Sequence, residues 1–477
     1  MVTSALNSAP AVETPFADAL LRITGTGVGS LHALPVSQGH SIRHSSLRGK
    51  YERLFGPAYL ASDASFSAPV LDSFFRPRTC LARAQQLAAD AFGADRTFFI
   101  TSGTTTANSV ALAAMGLRGR RVLVDRTCHQ SIHFSLDRIG ADVTYAGYGP
   151  TTTTSGLAVS DVEELLRCFA TAAREGAPYQ AVVLSGSSYD GILLKLPELV
   201  AALFEHVDVL DVLVDEAWSA LNNFHPALRA HTALEAARKM RPHNRKQLRM
   251  FVTHSAHKSM SALRQASYLH VIADEAAQYA VEDAIYSIHT TSPSLPILAS
   301  LDLARAQGVA EGAALLESCI DSASQLRALV TDGAFPGLTA VPTCPPTRWA
   351  LPDPTKVAVD FAGIGLSAHA VRTRLFHEYG LYVSRGSRSV LLFNFHIGAG
   401  ADICDRLERA LRDLCGKRSH GRRPAIDLCN SFVIPYPPGV PAAVPGELSV
   451  SDLAEQLLHY DESGIDVFSV PAQSPRN

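Results

Sequence analysis

Residues 253–267, THSAHKSMSALRQAS, set Lys258 among small polar neighbours directly after the apolar run MFV. Lysine is scarce in this chain, seven against 35 arginines, so its use at the end of an apolar run carries information. An ammonium inserted beside a sheet loses part of its hydration, its pKa falls, and the free amine is a nucleophile toward an aldehyde. A solvated surface lysine is the ordinary alternative. Upstream, ITSGTTTANSVALAAMG (100–116) runs from a strand end through a glycine and three threonines into an amphipathic helix. Gly103, Thr104 and Thr105 there combine the N–H groups of a helix start with hydroxyl donors, which suits a phosphate; a plain threonine N-cap is the competing reading. In VLVDEAW, Asp215 stands at the C-terminal end of a buried strand, where open α/β sheets contact ligands. A carboxylate there needs a partner, which a protonated ring nitrogen, an arginine or a helix N-terminus would supply. In VDRTCHQSIHFSL, His129 follows another strand end and His133 lies one helical turn later. That spacing suits metal in principle, but no third ligand and no HExxH acid accompany it. His129 is read as a stacking or hydrogen-bonding residue and His133 as a face residue.

These groups need elements to position them. From about residue 95 to 275 the runs RTFFIT, RRVLVD, DVTYAG, QAVVLSG, DVLVDEAW, RMFVTHS and SYLHVIA alternate with amphipathic segments such as SDVEELLRCFATAAREG. Continuous apolar strands between helices predict an α/β architecture, a mainly parallel sheet covered on both faces. After about residue 300 a long helical stretch leads into mixed strands and helices, VAVDFAG, HAVRTRLFHEYG and SVLLFNFHIG, which predict a smaller α+β unit. The division expected is an irregular arm over 1–75, wrapping on a partner subunit, a large domain over 76–300, the small domain over 301–420 and a C-terminal segment over 421–477. Prolines in IPYPPGVPAAVPGE predict a rigid extended crossing in that last segment.

With 47% hydrophobic residues the chain can bury large cores, and a net charge of −3 with interspersed signs gives no polyanion-binding surface. Nucleic acid is therefore not expected as a partner. Eight cysteines, scattered without a CxxC pair, predict free thiols in a reducing cytoplasm and no metal site. The N-terminus lacks a basic leader with an apolar core, and no run approaches the ~20 apolar residues that span a bilayer, so no membrane association is expected.

Seat, histidine, strand-end acid and lysine occur in the order that a pyridoxal phosphate enzyme of the aminotransferase type uses. More specifically, FGADRTFFITSGTTTANS, VLVDRTCHQSIH, SSYDGILL, VLVDEAWSALNNFHP, THSAHKSMSALRQASYLHV, IHTTSP, DPTKVAVDFAGIG and VIPYPPGVPAAVPGE resemble, in order from about residue 50 to 450, the ornithine/lysine/arginine decarboxylase family of fold type I pyridoxal phosphate enzymes. The resemblance implies pyridoxal 5′-phosphate bonded to Lys258, Asp215 holding the pyridinium proton and His129 stacking on the ring. It also implies Gly103, Thr104, Thr105 and Ser255 on the phosphate, and His257 against the cofactor. Thr290 and Thr291 would reach a neighbouring subunit's cofactor, making a homodimer the minimal unit. A short form is expected, without the N-terminal wing domain of the family's large inducible members and without their wing-mediated decamers.

The expected reaction is decarboxylation of arginine, lysine or ornithine, with His257 or Lys258 protonating Cα and orientation at Cα selecting the bond that breaks. Two departures bear on the substrate. In LYVSRGSRSVLLFNFHIG, Ser384 replaces a glutamate usual in the family, with Arg385 and Arg388 beside it. In DASFSAPVLDSFF, Val70 stands where an acid is common, leaving Asp63 and Asp72 as candidate substrate carboxylates. Arg385 and Arg388 either bind a carboxylate or are surface arginines. The alternative to decarboxylation keeps the fold and cofactor but transaminates, oxidises or eliminates; a regulatory homologue without catalysis is disfavoured by retention of Lys258, Asp215 and His129 together.

Overall fold

The computed structural model describes residues 12–26, 29, 31–32, 34–64, 70–152, 158–241, 247–343, 347–384, 386–416, 431–436 and 466–471. Each of the seven apolar runs forms a strand: β1 (Arg96–Ile100), β2 (Arg121–Asp125), β3 (Asp142–Ala146), β4 (Ala181–Ser185), β5 (Val209–Asp215), β6 (Gln247–His254) and β7 (Ser267–Ile272). They join in one sheet of order β1-β7-β6-β5-β4-β2-β3. The pairs from β6 to β3 are parallel, whereas β7 runs antiparallel to both β6 and β1. Because the β6–β7 connection is short, β7 begins at the edge where the other strands end, with Ser267 opposite Ile100 and Tyr268 opposite His254.

Alternate side chains of these strands enter two cores. On one face Phe98, Val124, Leu213 and Phe251 pack with Val110, Ile132 and Val281 from the helices Gly103–Ala114, Gln130–Ile139 and Glu275–Ile288. On the other, Phe99, Leu123, Val212 and Val252 pack with Ala88, Leu165 and Leu199 from Cys80–Phe92, Val162–Arg174 and Leu196–Leu203. Covering on both faces explains why the strands read as continuous apolar runs.

A second sheet, four-stranded and antiparallel, comprises β8 (Thr339–Val341), β9 (Lys356–Asp360), β10 (Gly386–Ser387) and β11 (Val390–Asn394) in the order β8-β9-β11-β10. The helix Leu295–Thr331, 37 residues and about 55 Å long, spans from the large core, through Leu298 and Leu301, to Val357 and Val359 of the second sheet, through Leu326 and Val330. Gly308 and Gly312 leave room on it for Phe224, whose ring lies edge-on to Phe92 at 5.0 Å. No helix among the described residues is long and apolar enough to cross a membrane.

The first 75 residues are not irregular throughout, as the sequence suggested. Helices form at Pro15–Thr24, Arg48–Phe55 and Pro57–Ser62. The first is tied to the core because the buried Asp302 carboxylate accepts the N–H groups of Phe16 and Ala17 at 2.9 and 3.3 Å, doing from the long helix what a local N-cap residue does elsewhere. Near the C-terminus Ser431–Tyr436 pairs antiparallel with Asp466–Pro471, while most of IPYPPGVPAAVPGE lies outside the described residues. Six cysteines are free thiols, and Cys344 and Cys429 fall outside the described residues.

A Cβ placed on Gly308 would stand 2.8 Å from the Phe224 ring. Gly308→Ala therefore reverses the usual gain of about 1 kcal/mol from alanine in a helix and lowers stability by about 1–3 kcal/mol through overpacking, measurable as a lower denaturant midpoint at unchanged slope.

Candidate active site

The edge where β1, β2, β5 and β6 end and β7 begins collects the polar residues. After β1, Gly103 opens its helix at φ +82°, with nothing within 4 Å of where a Cβ would sit. The first-turn N–H groups of a helix have no intrahelical acceptor, and the buried hydroxyl of Ser102, at the N-cap, has no partner either. Behind this opening the Thr104 hydroxyl lies 2.5 Å from Ser255 Oγ and 2.8 Å from Ser267 Oγ, which donates to the His254 carbonyl. Thr104 thus faces inward and ties the seat to β6 and β7, while Thr105 is exposed. Gly103 N donates to the carbonyl of Gln265, a non-glycine residue held at φ +78°. Donors, an unpartnered hydroxyl and an open glycine are the features that suit an anion.

Asp215 ends β5 and is buried. Asn108 Nδ2 donates to one of its oxygens at 2.9 Å and the Ala217 N–H to the other at 3.0 Å. Asn108 is itself fixed, its Oδ1 accepting from Thr253 Oγ1 and its Nδ2 also reaching Ser131 Oγ. His129 caps the next helix by accepting the Ser131 N–H at Nδ1. Burial pushes its imidazole down to about 4, with Asp215 opposing the shift and Lys258 adding to it, so the ring is neutral near pH 7.

Lys258 lies in the short helix after β6, its Nζ 3.9 Å from the centroid of the Trp218 indole. Burial lowers this ammonium to about 8; the Asp215 carboxylate acts against that, and the ammonium of Lys356 acts with it. The lysine opens into a cleft of ≈ 420 Å³ that runs to the second sheet, lined among others by Trp218, Asn222, Asp353, Lys356 and His396. His257 turns away, its Nδ1–H donating to the Ala266 carbonyl at 2.9 Å, and burial lowers its pKa.

Gly103, Thr104, Ser255, Asp215, His129, His257 and Lys258 thus share one edge of the sheet. Thr290 and Thr291 are exposed, just beyond the helix Glu275–Ile288, where the adjacent His289 accepts the Thr101 N–H. Asp63 is exposed at a helix C-terminus. Asp72 is spent within its own loop: its two oxygens accept the backbone N–H groups of Ser73, Arg78, Thr79 and Leu81 at 2.8–2.9 Å. Burial raises its pKa, but those four donors outweigh it and hold the carboxyl below the usual range. It is a loop clamp, with no lone pair directed at the cleft. Ser384 bonds to the Tyr189 hydroxyl, and Tyr189 meets Trp218 edge-on at 4.8 Å. Arg388 is exposed in the β10–β11 turn at φ +53°, and Arg385 lies outside the described residues. His133 is buried and donates from Nε2 to the Cys128 carbonyl, and no metal-binding cluster occurs among the described residues.

A desolvated amine and a strand-end carboxylate meet at one edge of a sheet with the topology of a fold type I large domain. The family model for the major domain of Orn/Lys/Arg decarboxylases matches residues 14–341, and the chain belongs to that family. It is 27% identical to an arginine decarboxylase of Bacillus anthracis over 98% of this chain and 95% of the relative. To the lysine decarboxylase LdcA of Pseudomonas aeruginosa it is 33% identical over 66% of this chain, spanning 42% of that relative. The lysine decarboxylase LdcF of Francisella novicida superposes with a TM-score of 0.77 at 18% identity, over 96% of this chain and 79% of that one, a likeness of fold.

Sequence reasoning missed Ser102, Asn108, Ser267, Trp218 and Lys356. Trp218 and Ser102 had a signal in motifs already quoted, three residues after Asp215 and directly before Gly103; the others take their places through contacts distant in the chain.

Because Lys258 carries a folded pKa of about 8 against an ordinary 10.5, the fold bears the cost of a buried cation below pH 8 and sheds it as pH rises through that window. In the cofactor-free chain Lys258→Met is expected to raise the melting temperature at pH 7. The gap should shrink between about pH 8 and 10.5, as followed by thermal denaturation at a series of pH values.

Proposed function

We propose that this protein is a pyridoxal phosphate-dependent decarboxylase acting on a basic amino acid, arginine, lysine or ornithine. The observation that carries the reading is Lys258, a buried amine with its pKa lowered, set against Trp218 at the same sheet edge as the Asn108-fixed Asp215 and the seat at Gly103. The residues fit the cofactor. The unpartnered Ser102 hydroxyl and the open Gly103 suit its phosphate, Asp215 its ring nitrogen, and Lys258 its aldehyde. When bound, pyridoxal phosphate supplies an electron sink for the bond broken at the substrate's Cα.

The chain's own groups do the rest. Asp215 presents a carboxylate whose orientation is set by Asn108 and the Ala217 N–H, so it holds a proton on a ring nitrogen without moving. His129, neutral, offers a flat face and no competing positive charge. Trp218 walls the cleft and keeps water from the face of Lys258. His257 has its Nδ1 proton engaged by Ala266, and its neutral Nε2 has none to give. Lys258, with a pKa of about 8, is the better donor to Cα. Thr290 and Thr291, both exposed, are assigned to the contact with a second copy in a homodimer.

A second reading keeps fold and cofactor and changes the reaction or the substrate side chain. It is favoured by Ser384, engaged with Tyr189, and by Asp353, the one carboxylate among the described cleft-lining residues, which is already paired to Lys356. One experiment separates the two. The cofactor-loaded protein is incubated with arginine, lysine and ornithine separately, products are identified by mass spectrometry, and borohydride reduction is used to map the cofactor onto a peptide. One decarboxylated amine, lost in Lys258→Ala, with the label on Lys258, is the expected result. Label on Lys258 with a keto acid, peroxide or dehydrated product instead selects the second reading, and label elsewhere overturns both.

A further inference from the structure

The cleft holds a second lysine that the roles above leave unused. Lys356 opens β9 of the second sheet, and its side chain is 3% exposed. Its Nζ donates to the Ser188 carbonyl at 2.9 Å, pairs with Asp353 Oδ2 at 3.2 Å, and stands 5.6 Å from the centroid of the indole that Lys258 touches. The turn that carries it is rigid. Asp353 Oδ1 accepts both the N–H and the hydroxyl of Thr355, Asp353 N donates to Gly191 O, and Arg327 of the long helix reaches the carbonyls of Pro354 and Lys356. Trp218 is held from the same side, its N–H donating to Ser187 Oγ and its ring meeting Tyr189 edge-on. Two ammonium groups from two different sheets are thereby kept on one indole.

We propose that Lys356 is a positioning residue, a fixed cation presented by the second sheet that disfavours the charged form of Lys258 and so enlarges the share of free amine available to an aldehyde. This rests on reading Lys258 as the amine that bonds the cofactor. Like charges in a poorly hydrated cleft disfavour each other's charged form, and of the two lysines Lys356 has a carboxylate and a carbonyl as partners whereas Lys258 has the face of an indole. The titratable groups around Lys258 are Asp215 from β5 and Lys356 from the second sheet, which act on it, His129 from the neighbouring helix cap and His257 from its own turn, on which it acts, and Asp353 and His396, which line the cleft. Of these, Asp215 favours the protonated lysine, and the Lys356 charge counters it.

The test is the pH dependence of acylation of Lys258 by acetic anhydride in the full cofactor-free chain, resolved by peptide mass spectrometry. Lys356→Met is expected to move the midpoint up by about half a unit to one unit, a three- to tenfold loss of Lys258 reactivity near neutral pH. Asp353→Asn, which leaves the Lys356 charge unneutralised, is expected to move it down; Lys356→Arg is expected to leave it near wild type. Opposite signs for the two single variants support the assignment. Superimposable profiles, or shifts in one direction for both, overturn it. Should either single variant fail to fold, the double variant Lys356→Met/Asp353→Asn leaves neither charge unpaired and decides the matter: an upward midpoint supports the role, an unmoved one ends it. The labelling needs no cofactor, so failure here is distinct from failure to find pyridoxal phosphate on Lys258.

Discussion

An ammonium and a carboxylate withdrawn from water at one sheet edge, near enough to influence each other, are the constraint around which this protein is arranged. Each is costly to bury alone, and direct neutralisation by each other would remove both from use. The chain instead gives Asp215 hydrogen bonds from uncharged donors, Asn108 Nδ2 and the Ala217 N–H, and sets Lys258 against the face of an indole. Parallel strands bring β5 and β6 to the same edge, and the reversed β7 returns Ser267 there to join the hydroxyl cluster. The topology is what makes the two charges neighbours.

Beneath this edge buried polar side chains are joined in one hydrogen-bonded series. Thr97 Oγ1 reaches His270 Nδ1 at 2.8 Å, His270 Nε2 reaches His254 Nδ1 at 2.9 Å, and His254 Nε2 reaches Glu216 at 3.4 Å. Read in one direction, each hydroxyl or ring N–H donates to the next group and the chain ends on the Glu216 carboxylate. Burial first, and then the charge interaction with His254, holds His270 well below its ordinary pKa. Glu216 closes the chain while accepting the Ala233 N–H, and the absence of a side chain at Gly186 makes its space: a Cβ there would lie 2.7 Å from Glu216 Cγ.

What was legible in the sequence was local. Seven apolar runs announced seven strands because both faces of the sheet are covered, and Asp215, His129 and Lys258 were visible because each follows such a run. The reversal of β7 left no mark, since an apolar strand reads the same in either direction. Asn108 looked like any polar residue on a helix until Asp215, 107 residues away, was seen to accept from it. Lys356 sat in a quoted motif without a role, because its meaning comes from an indole contributed by the segment after β5. Asp72 illustrates the opposite error: an acid near the expected entrance drew attention as a ligand, whereas its four acceptor contacts are to its own backbone. The helices before residue 75 were hidden by glycine, serine and proline, and the first draws its cap from the far side of the chain.

That distant cap has a consequence for biosynthesis. The helix Pro15–Thr24 rests its Phe16, Ala19 and Leu20 in the core and its first turn on Asp302, 286 residues further along. At roughly 5–20 residues per second, about 15–60 s of translation separate the two. During that interval the apolar face of the helix has no finished surface to meet and its end has no acceptor. The nascent chain therefore depends on whatever shelters that segment until the long helix leaves the ribosome, and slow translation between the two points lengthens its exposure.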